Sequence, residues 1–150
     1  MRREAPHYDR RTVISAAVAL FFATCTSAGR AQGHKVEPER RWFEAAAEMK
    51  RLAESWGDQP YGAVLVLNGA LMGEGPSRVV KNQNPDAHAE REAIRDAQRK
   101  LGREMLDGAT LYSTSRPCRA CEAAAARAGV SRMYFGSTLS DAGVPSLAAR

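Results

Sequence analysis

The chain has no apolar run long enough to cross a bilayer. Its most extended one, Val13 to Ala23, is eleven residues long, about half of the ~20 that a spanning helix needs. Internal repeats, low-complexity segments and a visible second domain are also missing. Basic tracts are confined to the start. The 22 Lys and Arg against 17 Asp and Glu give a net charge of +5, but residues 1–31 hold five arginines and two acids, which leaves 17 against 15, or +2, for residues 32–150. That near-neutral remainder lacks the electrostatic footprint of a nucleic-acid binder, so no nucleic-acid partner is expected. Cysteine is scarce as well: of three in the chain, only Cys118 and Cys121 fall after residue 31.

Residues 1–31 combine early charges with the Val13 to Ala23 run and a small, polar stretch from Thr24 to Gly33. This is the order of an export signal. Asp9-Arg10-Arg11-Thr12-Val13-Ile14 resembles a twin-arginine signal, with an ordinary secretory signal as the alternative. Residues 32–150 are then expected as one exported domain, periplasmic or secreted, with no stable membrane anchor once the signal is removed. Cys25 reads as a passenger of the apolar run. Twin-arginine export moves folded proteins, so a metal loaded before export would protect Cys118 and Cys121 from the disulfide that an oxidising compartment favours.

From Gln32 onward the pattern is legible element by element. Pro38 suits a first helical turn, and Trp42, Ala46, Met49, Ala53 and Trp56 recur at three- and four-residue spacing up to Gly57, predicting a helix from about Glu39 to Trp56. Tyr61 to Leu67 is a continuous apolar run, as in a strand buried on both faces. Asn68-Gly69 predicts a hairpin returning through Ala70 to about Gly75, where Gly73 and Gly75 suggest an edge or a bulge. His88 to Leu101 places Ala89, Ala93, Ile94, Ala97 and Leu101 on one stripe before Gly102. Leu111 to Thr114 reads as a strand, Cys118 to Ala128 as a helix stopped by Gly129, and Met133 to Phe135 as a strand. The β, β, α, β, α, β order requires parallel strands across the helical crossovers, hence a mixed sheet with helices on both faces.

The chemistry concentrates in Asn84-Pro85-Asp86-Ala87-His88-Ala89-Glu90 and in Arg116-Pro117-Cys118-Arg119-Ala120-Cys121. A histidine in a polar run is more often solvated than ligating. A lone Cys-x-x-Cys is open between structural zinc, a dithiol redox pair and a disulfide. Together, each after a strand-like segment and each opening a helix-like one, they offer one nitrogen and two sulfurs of the types zinc prefers. Three protein ligands leave a fourth position open, as catalytic zinc sites do. Glu90 remains as an acid/base with no ligand duty. In an α/β sheet such residues meet beyond the strand ends, where helix N-termini point.

From about Trp42 to Gly136 the chain resembles the cytidine deaminase-like superfamily, in particular its guanine, cytosine and transfer-RNA adenosine deaminase branch. The resemblance rests on Tyr61-Gly62-Ala63-Val64-Leu65-Val66, Gly73-Glu74-Gly75, His88-Ala89-Glu90 with Ala93-Ile94, Leu111-Tyr112, Pro117-Cys118-x-x-Cys121 and Tyr134-Phe135-Gly136, all in family order. It implies a three-layer α/β/α fold with a central mixed β-sheet and one Zn²⁺ per chain on His88, Cys118 and Cys121. It also implies Glu90 as the catalytic proton carrier and substrate contacts at Ser77 and Ala89. Ser77 stands where the family commonly has asparagine, and Ser115-Arg116-Pro117-Cys118 stands where Cys-Glu-Pro-Cys is often found. Fourteen residues follow Gly136, where relatives usually supply another strand or helix, so an uncovered sheet edge and a homodimer that covers it are expected.

Three functions are compatible with these residues. The first is a zinc hydrolase that deaminates a free nucleobase or nucleoside. The second is a zinc-binding interaction protein on the same fold without turnover, and the third a periplasmic thiol-disulfide protein using Cys118 and Cys121. Zinc content separates the third from the others, and ammonia release separates the first from the second.

Overall fold

The computed structural model describes residues 38–147, which belong to one compact unit, Val36–Arg150. The export signal expected over residues 1–31, Cys25 included, lies outside the described residues. Among the described residues no helix is long and apolar enough to cross a membrane. The elements are α1 (Arg40–Ser55), β1 (Gly62–Leu67), β2 (Ala70–Pro76), α2 (Ala89–Leu101), β3 (Thr110–Ser113), α3 (Arg119–Arg127), β4 (Arg132–Phe135) and β5 (Ser140–Gly143).

One five-stranded sheet has the order β2-β1-β3-β4-β5. β1 is antiparallel to both β2 and β3, and β3 and β4 are parallel, so the sheet is mixed, as the element order demands. Alternate residues of β1 split the core in two. Ala63, Leu65 and Leu67 pack with Leu111, Met133 and the apolar stripes of α2 and α3. Val64 and Val66 pack with Tyr112, Tyr134 and Ala46 of α1. All six residues of β1 are buried, which explains its unbroken apolar run. The result is the three-layer α/β/α arrangement, with α1 on one face and α2 and α3 on the other.

The hairpin turn is as expected from its residues. Asn68 and Gly69 take φ of 52° and 72°, the left-handed pair that a two-residue hairpin with native twist requires. β2 is one edge of the sheet, and its register slips between Leu65 and Val66, so that Met72 is bulged out. Gly73 and Gly75 have a further reason to be glycine. A Cβ on Gly75 would lie 2.0 Å from the Ala89 carbonyl oxygen and 2.4 Å from the Ala93 nitrogen, and one on Gly73 would lie 2.1 Å from the Ala93 carbonyl oxygen. The backbone of α2 therefore rests directly on β2, with no side chain between. Because backbone cannot swing aside, Gly75→Ala should cost about 1–3 kcal/mol, as overpacking does. Denaturant unfolding of the purified domain checks this, and an unchanged midpoint would mean that α2 slides freely on the sheet.

Beyond Gly136 the chain supplies one strand that the sequence reading did not place, and the outer edge of the sheet on this side is β5 instead of β4. Residues 140–143 add β5 antiparallel to β4. The sequence Ser-Asp-Ala-Gly has no strand propensity. It is held by Asp141, which accepts hydrogen bonds from the Arg132 guanidinium, the Nε contact being 3.1 Å, and by a turn in which Leu139 N donates to Gly136 O.

Candidate active site

The loop between β2 and α2 delivers His88, and a buried carboxylate anchors it. Asp58 accepts hydrogen bonds from the backbone N–H of Gln59 at 2.7 Å, the hydroxyl of Ser77 at 2.9 Å and the backbone N–H of Lys81 at 2.8 Å. Burial alone would raise its carboxyl, but these donors outweigh burial and hold it below the ordinary carboxylate range. The cations of Lys81 and Arg78 lie over the Trp56 ring at the end of α1, which ties the same loop down from outside. Asn84 closes the loop, its side-chain oxygen accepting from Asp86 N at 2.9 Å. The chain then turns into α2.

His88 is the N-cap of α2, with extended φ and ψ of −63° and 151°. It therefore stands before the helix and not within its first turn, while Glu90 is helical. That handover lets residues two apart face one region, which a helix surface forbids. Cys118 is likewise the N-cap of α3, and its sulfur accepts a hydrogen bond from Cys121 N. Both helices thus present their N-termini, with roughly half a positive charge each, to the same place.

The Nδ1 of His88 lies 3.7 Å from the Cys118 sulfur and 3.5 Å from the Cys121 sulfur. The three ligand atoms all fall within 4.8 Å of one another. Tetrahedral zinc, with bonds of about 2.0–2.1 Å to nitrogen and about 2.3 Å to sulfur, sets a nitrogen and a sulfur about 3.6 Å apart. The donor set fits zinc in both chemistry and spacing. Burial, then the neighbouring Glu90 and Cys118, push the Cys121 thiol far above its ordinary range. A buried thiol in that company becomes a thiolate only beside a cation.

Glu90 is not part of this set, yet it is 4 % exposed and directly beside it. One carboxylate oxygen, Oε2, lies 3.4 Å from the Cys121 sulfur. The other, Oε1, accepts a 2.9 Å hydrogen bond from the hydroxyl of Ser113. No buried side-chain nitrogen or oxygen among the described residues lacks a partner. Sequence reasoning passed over Ser113, though a signal was present. It follows Leu111 by two residues in β3 and so faces the α2 side, a polar group on an otherwise apolar face.

A cavity of about 240 Å³ opens on the site, lined by Gln59, Tyr61, His88, Ala89, Glu90, Ser115, Arg116 and Cys118. Ala89 is on this lining. Ser77 does not reach this lining. It is fully buried and its hydroxyl is bound to Asp58, so the structure gives it a part in holding the loop. Gln59 and Tyr61 also lie on the lining; the sequence marked Tyr61 only as the start of a strand, since the turn before β1 gives no sign that it meets the two helix starts. Larger grooves of about 290 and 410 Å³ run along α2, but neither is lined by any of the three ligands.

Comparison with known proteins agrees with this geometry. The tRNA-specific adenosine deaminase of Agrobacterium fabrum is 41% identical over 100 residues, 66% of this chain and 66% of that protein. That of Buchnera aphidicola (subsp. Baizongia pistaciae) is 34% identical over 101 residues, 67% of this chain and 62% of its own. The chain therefore spans about two thirds of the length of these curated relatives. The X-ray structure of guanine deaminase from Bacillus subtilis superposes with a TM-score of 0.63 at 32% identity, covering 67% of this chain and 64% of that one. The sequence model for the cytidine and deoxycytidylate deaminase zinc-binding region matches residues 36–137, and the chain belongs to that family.

Proposed function

We propose that this protein is a zinc-dependent hydrolytic deaminase that replaces an amino group on a free nucleobase or nucleoside by a carbonyl and releases ammonia. The observation that supports it most is the placement of Glu90: a buried carboxylate against, but outside, a three-ligand set. His88, Cys118 and Cys121 would hold the zinc, whose chemistry when bound is Lewis-acid activation of water. Glu90 takes a proton from the attacking water and passes it to the ring nitrogen next to the carbon under attack, then takes the remaining hydroxyl proton and gives it to the departing amine as the carbonyl forms. Water and amine go in, carbonyl and ammonia come out, and Glu90 ends as it began.

The small cavity supports a single base as the reacting unit, because about 240 Å³ is below the usual range of roughly 300–1,000 Å³ for drug-sized ligands. Its polar lining from Gln59, Ser115 and Arg116 offers donors and acceptors to a heterocycle edge. A second reading, adenosine within transfer RNA, is favoured by the relatives named tRNA-specific adenosine deaminases. In it the same cavity would receive one base turned out of its stack.

The test is ammonia release by the zinc-loaded protein from guanine, cytosine, adenine and their nucleosides, with transfer RNA alongside. Turnover of a free base or nucleoside is the expected result. Turnover of transfer RNA alone would select the second reading. One zinc per chain with no ammonia from any of them would make this a zinc-binding protein without catalysis.

A further inference from the structure

Glu90 has two oxygens in different surroundings, and the difference is built by β3. Oε2 faces the Cys121 sulfur, whereas Oε1 is held by the Ser113 hydroxyl at 2.9 Å. Ser113 is itself 1 % exposed, so no water competes for that bond. The direction of the hydroxyl is also set. Its oxygen accepts from the backbone N–H of Ser115 at 3.4 Å, which leaves the hydroxyl proton for the carboxylate. Ser115 lines the cavity, and the residues after it lead into Cys118. One short stretch therefore builds the cavity wall, brings in a ligand and holds the acid/base group.

We propose that Ser113 is the positioning residue of Glu90, fixing Oε1 so that proton transfer runs through Oε2 alone. Resting on the deaminase reading above, this assigns the two oxygens separate duties. A free carboxylate at the start of a helix would rotate about its last side-chain bond and exchange its oxygens. The Ser113 bond, between two buried side chains, removes that freedom and keeps Oε2 on the side of the ligand set. Pre-alignment of this kind lowers the barrier without adding contact to the substrate, so its removal acts on turnover and not on binding.

The experiment compares Ser113→Val with Ser113→Thr, side chains of one shape and both at home in a strand, of which only threonine keeps the donor. Ammonia release, KM and zinc content are read on wild type and both variants. A hydrogen bond to a charged group is worth about ten- to a hundredfold. Ser113→Val is expected to lose that much kcat with KM little changed and zinc retained, and Ser113→Thr to recover most of it. Adding Ser113→Val to Glu90→Gln should then cost little further, since a group that acts through Glu90 has nothing left to position. Equal losses in the two variants would reduce Ser113 to a packing residue, and unchanged turnover in Ser113→Val would remove it from the mechanism; both overturn the proposal while leaving the deaminase reading intact. A wild-type protein that carries zinc but releases no ammonia overturns that reading, and the assignment of Ser113 falls with it.

Discussion

Glu90→Gln is expected to keep close to one zinc per chain while ammonia release falls by about 10² to 10⁴-fold, the range typical of a lost general acid/base. The substitution keeps the size of the side chain and an oxygen that can still accept from Ser113, but removes the carboxylate to which the proposed mechanism assigns proton transfer. Stability should change little, because the amide fills the same buried space between Ser113 and Cys121. Metal analysis and the ammonia assay on one preparation separate the outcomes. Zinc lost together with activity would make Glu90 a ligand and turn the three-residue set into a four-residue one. Full activity would place the proton shuttle on another lining residue.

The reasons why Glu90 and its neighbours were legible in sequence differ from the reasons why others were not. His88, Glu90, Cys118 and Cys121 lie within two short stretches, each announced by a helix start, so local chemistry and spacing were enough. The sheet followed because β1 is buried on both faces and Asn68-Gly69 dictates its turn. Gly73 and Gly75 were legible as an edge with a bulge. Their main reason, an α2 backbone lying on β2, is a contact between distant segments that no local pattern records. β5 escaped for the opposite cause, since Asp141 finds Arg132 only after the chain has folded. Ser77 illustrates the limit of reading a position by its counterpart: a hydroxyl is shorter than the expected amide, and Asp58 takes it up. Gln59 and Tyr61 belong to the site by tertiary placement, whereas Ser113 was marked only by being polar on an apolar strand face.

The ligand substitutions should produce the largest effect, because they remove both zinc and the chemistry it supplies. Cys118→Ser is the most informative of them. Cys118 caps α3 through its sulfur, and serine is a preferred N-cap residue, so the helix start survives while the thiolate is lost. Cys121→Ser instead leaves a hydroxyl in a fully buried position beside Glu90, whereas the His88 side chain makes no capping hydrogen bond at the start of α2, so His88→Ala removes the ligand nitrogen and no cap. All three should fall from about one zinc per chain to near none, with deamination at background. Their order in stability should separate metal from fold. Cys118→Ser and His88→Ala should melt with the chelator-treated wild type, whereas Cys121→Ser should melt lower, each kcal/mol moving the midpoint of a domain this size by roughly 4–8 °C. Zinc bound only to the folded state adds stability that grows with its free concentration over Kd, so added zinc should raise the melting point of wild type and leave Cys118→Ser where it was. Retention of a full zinc by Cys118→Ser would show that the exposed sulfur is dispensable and that the metal is held by His88, Cys121 and a group outside this set.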